Sequence, residues 1–362
     1  MTTPSRDRAL DVGLLAPVYR PEAGPGGECF ARTLATGLVG AGHNPRVIAG
    51  HGGWFARDVE HGFQVWRVPR LAEGQLALRR IEAHLTHVPF SYAALRACPP
   101  DVAHALHPAD GVAAAHFARA TGRPSVLTYI GIPDRRSLLD RRMRLKLTVQ
   151  AAEGADAVVA LSAVAAAAFH RTLGVDARVI PPGIDVDFFS PGGTRAPDPT
   201  ILCPAPVDAG VADLLGAMPR VRRERPGTRL LLSRALGLAA RIRPSRDEGI
   251  ELVDVDDAES WREAYRRAWV TALPSTGESL ACGTPIVGRD HSVISELVAD
   301  DSLGTLFEGG ADSLAKALLG MLDLVKDSAV PERCRERADD FSMERCTREY
   351  LALYEELLAA KG

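Results

Sequence analysis

A proline-rich stretch near the middle of the chain, RVIPPGIDVDFFSP at Arg178–Pro191, divides the sequence into two halves. Its β-branched start is typical of a last strand. Pro181 and Pro182 then remove two backbone donors, and Gly183 permits a turn that other residues resist. Glycine and proline residues separate this stretch from a new β-rich run that begins at Thr200. The stretch therefore predicts a hinge between two domains.

Both halves alternate β-rich and helical segments. Over 362 residues, this alternation predicts two doubly wound α/β domains, each long enough to form its own core. Ligands of such sheets bind beyond the carboxyl ends of the strands. The expected strands are Ala9–Ala16, Pro45–Ala49, Phe63–Val68, Val102–Leu106, Ser125–Thr128, Ala157–Leu161, Thr200–Cys203, Thr228–Leu232, Ile250–Val253, Val270–Leu273 and Pro285–Val287. The main expected helices are Glu28–Ala41, Leu76–Arg96, Val211–Arg223, Ser260–Arg267, Val293–Val298, Ser313–Lys326, Glu332–Asp340 and Met343–Ala360.

Composition excludes several classes of protein. A net charge of −3 gives no reason to expect a nucleic-acid partner. The beginning of the sequence lacks the apolar core of a signal peptide, and we expect no transmembrane segment. Six scattered cysteines without a CxxC pair suit a reducing compartment better than a disulfide framework. The expected location is cytoplasmic.

A glycine-rich loop, Pro17–Gly27, follows the first expected strand and precedes a helix. Backbone amides at a helix start, together with the helix dipole, can hold a phosphate group. The loop is not a GxGxxG fingerprint, so an ordinary surface loop is the alternative.

A strongly basic segment, Asp134–Leu147, carries six arginine and lysine residues. Leu139, Met143 and Leu147 recur at four-residue spacing, which predicts one apolar stripe on a helix. The segment could contact an anionic acceptor or a membrane surface. The favoured interpretation is a solvated basic face on a helix that packs against the core.

Histidines do not predict a metal site. His104 and His107 end one strand, and His84 and His87 are spaced as HxxH, but neither pair has a third ligand nearby in sequence. Asp254–Asp256 has the form DxD but coincides with the expected end of a strand. We expect no metal requirement.

Three segments resemble motifs of one family. The hinge sequence PPGIDVDFFSP resembles the signature that joins the two domains of GT-B glycosyltransferases, specifically the retaining family 4 that uses nucleotide-sugar donors. ESLACGTPIV at Glu278–Val287 and the segment Leu303–Leu318 resemble two further motifs of that family. The resemblance implies a GT-B fold, with two Rossmann-like domains facing a central cleft. Its implied boundaries are an acceptor-side domain at 1–182, a nucleotide-sugar domain at 183–340, and a helix at 341–362 that crosses back.

The same resemblance implies site residues on the donor side. Gly26 and Gly27 match the family's glycine loop and would contact the donor phosphate. Glu278 would accept hydrogen bonds from the donor ribose, with Ser279 and Leu280 beside it.

On the acceptor side, His104 matches the first histidine of the family's HxH motif, whereas Leu106 replaces the second. Ile130 and Gly131 match the end of a T-Y/F-H-G motif whose histidine lies close to the transferred sugar, and here Ile130 replaces that histidine. His104, Ile130 and Gly131 are the candidate catalytic positions.

Two departures concern the donor diphosphate. The family has a second glutamate and a longer loop before the position of Glu278, and it has basic residues where Val207–Asp213 contains none. Either segments absent from this sequence supply these parts, or the donor site is weakened.

The resulting hypothesis is a retaining glycosyltransferase that moves a sugar from a UDP- or GDP-linked donor to a small-molecule acceptor. A bacterial natural-product or low-molecular-weight thiol pathway is the hypothesis for its setting, and a homodimer is compatible with the resemblance. The alternative is a non-catalytic GT-B protein that binds a nucleotide or a partner without turnover. A nucleotide-sugar epimerase shares the architecture but has no motif support.

Overall fold

The chain forms two compact units in a computed structural model. One unit takes the chain up to Gly183 together with Met343–Gly362, and the other is Ile184–Ser342. These boundaries fall one and two residues beyond the expected ones at 182 and 340. The structure describes residues 8–19, 27–71, 83–140, 143–204, 210–233, 249–254, 258–274, 277–290, 294–298 and 300–362.

The first unit contains an eight-stranded sheet in the order β3-β4-β2-β1-β5-β6-β7-β8. Every neighbouring pair is parallel except β3 and β4, which are antiparallel. The strands are β1 (Asp11–Ala16), β2 (Asn44–His51), β3 (Ala56–Glu60), β4 (Phe63–Pro69), β5 (Val102–Ala105), β6 (Ser125–Tyr129), β7 (Ala157–Ala160) and β8 (Arg178–Val179). The helices are α1 (Gly27–Gly40), a 3₁₀ turn (Ala83–His87), α2 (Val88–Ala97), α3 (Pro108–Thr121), α4 (Arg135–Asp140), α5 (Arg144–Gly154) and α6 (Ala163–Leu173).

Strand β1 shows why this sheet is covered on both faces. Its sequence, DVGLLA, is apolar on both sides, as expected for a buried parallel strand. Leu14 packs in a core cluster with Phe30 of α1 and Tyr350 of the C-terminal helix. Leu15 packs on the opposite face in a cluster with Phe117 of α3.

The second unit contains a fully parallel six-stranded sheet in the order β11-β10-β9-β12-β13-β14. When the strands are numbered within the unit, this is the order 3-2-1-4-5-6 of doubly wound folds. Ligands of such folds bind where the strand order reverses, which is here between β9 and β12. The strands are β9 (Thr200–Cys203), β10 (Arg229–Ser233), β11 (Ile250–Val253), β12 (Val270–Ala272), β13 (Ile286–Arg289) and β14 (Gly304–Phe307). The helices are α7 (Val211–Glu224), α8 (Ala258–Arg267), α9 (Glu278–Ala281), α10 (Ile294–Leu297), α11 (Ala311–Leu324) and α12 (Val330–Asp339), and α13 (Met343–Lys361) belongs to the first unit.

The expected strands are all present, with ends that agree within two residues. The prediction of one helix over Leu76–Arg96 is wrong in its described part. There the chain forms the 3₁₀ turn Ala83–His87, and α2 begins only at Val88. Pro89 explains the late start, because proline fits the first turn of a helix but not its interior.

The basic segment also differs from its prediction. It forms two short helices, α4 and α5, instead of one helix with a continuous stripe. Leu138 is the buried residue of α4, whereas Leu139 and Met143 are exposed. The favoured interpretation, a stripe packed against the core, is therefore wrong for these two residues.

Candidate functional site

The carboxyl end of β12 has an unusual backbone. Leu273, the residue after this strand, has φ = +55°, a left-handed conformation that a non-glycine residue rarely adopts. Strained residues of this kind persist only where the surrounding structure holds them in place, and they cluster at functional sites. Gly277 follows closely, and a Cβ atom there would lie 2.7 Å from Cδ1 of Ile184, the residue after the hinge glycine. The hinge motif and the segment before Glu278 are thus packed tightly together within the second unit.

The three donor-side residues at this segment differ in accessibility. Glu278 begins α9 and is half-buried. Ser279 and Leu280 are fully buried, and Leu280 packs in a core cluster with Ile184 and Ile286. The motif resemblance implies that Ser279 and Leu280 lie against the ligand. Side-chain contact with a ligand does not fit the complete burial of these two residues. Of these three side chains, Glu278 is the one that can reach a ligand.

A cation that the sequence analysis missed lies at the same edge of the sheet. Arg289 is the last residue of β13, and its Nη2 lies 2.8 Å from Oδ2 of Asp213 in the first turn of α7. Its Nη1 donates to the carbonyl of Gly309 at 2.9 Å. A Cβ atom at Gly210, which caps α7 with φ = +91°, would lie 3.3 Å from Nη2 of Arg289. A guanidinium and the N-terminus of a 14-residue helix therefore meet near the point where the strand order reverses.

Sequence separation explains why Arg289 was missed. The family motif places basic residues between Val207 and Asp213, whereas Arg289 lies 76 residues beyond Asp213. The available signal was its position directly after the apolar run of β13, since the carboxyl ends of parallel strands share one edge of the sheet.

His104 lies inside the first unit and not on its surface. The side chain is completely buried on β5, with Nδ1 2.6 Å from the Tyr354 hydroxyl and Nε2 2.7 Å from Oγ1 of Thr128. The same Thr128 oxygen lies 3.0 Å from the Tyr350 hydroxyl. Burial lowers the pKa of His104 to about 3, so the imidazole is neutral at pH 7. It also raises the pKa values of both tyrosines well above their ordinary value.

This network gives His104 a different role from the expected one. A side chain with no exposed surface and both nitrogens engaged cannot contact a sugar directly in this structure. It joins β5 and β6 to the C-terminal helix, and Thr128 lies two residues before Ile130. His104 is therefore placed to position the end of β6, and its expected direct contact with the sugar is not seen.

The remaining candidates in the first unit are Ile130 and Gly131 after β6, and the two glycines expected to contact the donor phosphate. Ile130 is partly buried against the core cluster that contains Val126 and Val159, and Gly131 has φ = +112° with open space where a Cβ would lie. Gly27 is the first residue of α1. Gly26 lies outside the described residues.

Two further histidines from the sequence analysis, His107 and His87, have local partners, and the side chain of His84 lies outside the described part of the structure. His107 caps α3 by accepting a hydrogen bond from the Ala109 amide at 3.2 Å. His87 pairs with Asp110 at 2.7 Å, with both side chains completely buried. Within the described part of the chain, no group of three His, Cys, Asp or Glu residues could hold a metal ion.

The described cysteines are free thiols. Burial raises the pKa values of Cys282, Cys334 and Cys346 to about 12, so these thiols stay protonated at neutral pH. They act as small apolar core residues and not as nucleophiles. None of the helices in the described part of the chain is long and apolar enough to cross a bilayer.

Comparison with known proteins agrees with the motifs. Residues 25–188 match the model described as Glycosyltransferase Family 4, and residues 198–324 match the model described as Glycosyl transferases group 1. The chain is a glycosyltransferase of these families. This glycosyltransferase is 28% identical over 296 residues to a phosphatidyl-myo-inositol mannosyltransferase of Mycobacterium tuberculosis, an alignment that covers 74% of this chain and 72% of that relative.

Two further similarities are shorter or more distant. A D-inositol 3-phosphate glycosyltransferase of Segniliparus rotundus is 31% identical over 185 residues, which covers 43% of this chain and only 40% of that relative. Sucrose-phosphate synthase from Thermosynechococcus elongatus superposes with a TM-score of 0.79 at 19% identity, covering 97% of this glycosyltransferase and 100% of that chain. The Anabaena protein HepE in complex with UDP gives a TM-score of 0.72 at 15% identity, covering 96% and 100%. At such identities the likeness shows the fold, which is GT-B.

Proposed function

We propose that this glycosyltransferase moves a sugar from a nucleoside diphosphate sugar to a small phosphorylated polyol, with retention of configuration. The meeting of Arg289 with the N-terminus of α7 carries the proposal, because a cation and the amides at a helix start suit a diphosphate. The structural neighbour HepE has UDP and UDP-glucose complexes, which supports a nucleotide-sugar donor. The names of two curated relatives specify inositol 3-phosphate and phosphatidyl-myo-inositol, which supports a polyol-phosphate acceptor.

The chemical demand of the reaction is stabilisation of the leaving diphosphate. Arg289 and the α7 amides would face the charge that develops on it, and such pre-placed donors commonly contribute ~10²–10³ in rate. Asp213 already pairs with Arg289, so a bound diphosphate would compete with this carboxylate for the guanidinium. This arrangement would compensate in part for the basic residues that the family has near Val207–Asp213.

The other residues have assigned places in the proposal. Glu278 would accept hydrogen bonds from the ribose hydroxyls, which a carboxylate does well. As the family resemblance implies, Gly26 and Gly27 would contact the donor phosphate. Ile130 and Gly131 would lie near the transferred sugar, with His104 holding the end of β6 in position. Retention follows from the family resemblance.

A donor and acceptor screen tests the proposal. UDP-, GDP- and dTDP-sugars would be incubated with the protein and pooled acceptors, including inositol phosphates, with product detected by mass spectrometry and its anomeric configuration by NMR. We expect a retained-configuration product from one donor class. Donor binding without product across the screen would favour the non-catalytic alternative.

A matched pair of variants locates the donor site. Glu278→Gln should weaken nucleotide binding by about 1.5–3 kcal/mol, the contribution of hydrogen bonds to a charged group. Glu332→Gln removes an equal charge from an exposed position on α12 and should leave binding unchanged. Equal nucleotide affinities of the two variants would exclude Glu278 from the site.

A further inference from the structure

A cavity lies between the edge strand β3 and helix α2 in the first unit. It is lined by Trp66 of β4 and by Arg57 of β3, which the strand register places directly opposite each other. Ala93 and Ala97, one turn apart on α2, line it from the helix. The β3–α2 cavity has a volume of about 430 Å³, which lies within the ~300–1,000 Å³ that is usual for small-molecule pockets.

Small side chains on α2 leave this cavity open, and an aromatic pair bounds it. Alanine at positions 93 and 97 leaves room that larger side chains would fill. Phe90 lies on the same face of α2 and contacts Phe55 edge to face, with ring centroids 5.7 Å apart. Phe55 also lines the cavity and is 60% exposed. A flat apolar group of limited length therefore fits between β3 and α2, whereas a helix, ~10–12 Å across, needs a wider groove.

The guanidinium of Arg57 supplies a cation at this cavity. Its Cζ lies 4.0 Å from the ring centroid of Trp66, and Cζ of Arg46 lies 4.5 Å from the same centroid. Stacking uses the face of a planar guanidinium and leaves its N–H groups, which lie in the plane, for a carboxylate. Among the described residues that line the cavity, none is acidic. The N–H groups of Arg57 therefore face an apolar cavity without a counter-ion from its described walls.

Of the two arginines among the described lining residues, Arg57 alone remains available. The other, Arg67, has Nε 2.7 Å from the Asp58 carboxylate and Nη2 3.6 Å from Glu60. Arg46 contacts the indole from β2, and its Nη1 donates to a backbone carbonyl at 2.9 Å. A single available guanidinium matches the single charge of a carboxylate, with which it can form two parallel hydrogen bonds.

We propose that the β3–α2 cavity binds an aromatic carboxylate. The ring would lie against the Trp66 indole and the alanines of α2, and the carboxylate would accept hydrogen bonds from Arg57. A neutral ring would leave the guanidinium without an anion, and an aliphatic acid would lose the contact between flat faces. None of the residues assigned to sugar transfer lines this cavity, so it is a second ligand site on the enzyme.

NMR titration of the full chain with phenylacetate and two matched compounds tests the ligand chemistry. Phenylethanol keeps the ring and lacks the charge, whereas cyclohexaneacetate keeps the charge and lacks the flat ring. We expect saturable binding of phenylacetate. Phenylethanol should bind at least ~10-fold more weakly, because it cannot make a charged hydrogen bond. Cyclohexaneacetate should bind about 2- to 10-fold more weakly, because it cannot make the aromatic contact.

Two pairs of variants locate the site. Arg57→Gln should weaken phenylacetate binding at least ~10-fold, whereas Arg171→Gln removes the same charge from an exposed position of α6 and should not. Ala93→Leu places a larger side chain at an exposed position beside the cavity and should abolish binding. Its control, Ala352→Leu, makes the same change at an exposed position of α13 and should bind as the wild type does. Since all four positions are exposed, circular dichroism should show unchanged unfolding midpoints.

Three results would overturn the proposal. The first is no saturable binding of phenylacetate by the wild type, or equal binding of phenylacetate and phenylethanol. The second is equal phenylacetate affinity within either pair of variants, which would place the ligand elsewhere. The third is a wild-type dimer that dissociates in Ala93→Leu and does not bind phenylacetate, which would assign the cavity to a second copy. No readout involves a nucleotide or sugar transfer, so failure here is distinct from failure of the proposed function.

Discussion

At the scale of single residues, His104 illustrates how burial decides chemistry. Its imidazole accepts and donates within a closed network of two tyrosines and a threonine, and its pKa is depressed to about 3 by burial. An unfolded chain binds a proton at this histidine below pH ~6.5, whereas the folded chain does not until about pH 3. Between these two pH values the unfolded state thus binds more protons than the folded state, so the unfolding free energy falls as pH decreases below ~6.5.

A pH series of urea unfolding tests this residue. Between pH 6 and pH 4, the wild type should lose about 1.4 kcal/mol of unfolding free energy per pH unit more than His104→Gln does, the linkage of one proton. His170→Gln, which replaces a histidine that is 64% exposed and pairs with Asp176, is the control for loss of a surface histidine. Parallel slopes for the wild type and His104→Gln would contradict a neutral, buried His104.

At the scale of elements, the buried strands were predictable and the exposed or long-range features were not. Strands such as Thr200–Cys203 are fully buried and consist of apolar and β-branched residues. Strand β3, ARDVE, is almost entirely exposed on the antiparallel edge, so its sequence carries no apolar run. The network of His104 joins residues up to 250 positions apart, and no local pattern reports such a contact.

The C-terminal helix α13 depends on a close approach that a single glycine permits. A Cβ atom at Gly183 would lie 2.7 Å from Cα of Met343, the first residue of α13. Because this neighbour is backbone, no side-chain rotation relieves the clash. Gly183→Ala should therefore destabilise the first unit by about 1–3 kcal/mol, the usual cost of overpacking.

The control for this element is Gly40→Ala at the end of α1, where a Cβ atom would meet nothing within 4 Å. That change should be neutral or stabilise by about 0.4–1 kcal/mol, because alanine restricts the unfolded chain. Urea unfolding of both variants decides between them. Equal stability of Gly183→Ala and Gly40→Ala would mean that α13 does not pack as closely as the structure shows.

At the scale of the whole molecule, the glycosyltransferase assignment rests on two matched families and a GT-B fold in two units. The sequence motifs indicated that assignment, but they also suggested a donor site without its diphosphate-binding cations. The structure supplies a cation from elsewhere in the second unit, since β13 delivers Arg289 to the N-terminus of α7. We expect this place to bind the diphosphate of the donor.

Calorimetric titration of UDP and GDP into the wild type, Arg289→Gln and Lys316→Gln tests this expectation. Lys316→Gln removes an equal charge from an exposed position on α11. We predict that the wild type and Lys316→Gln bind one of the two nucleotides equally well, and that Arg289→Gln binds it at least ~10-fold more weakly, a loss within the about 1.5–3 kcal/mol of a charged hydrogen bond. Unchanged nucleotide affinity in Arg289→Gln would exclude Arg289 from the diphosphate site.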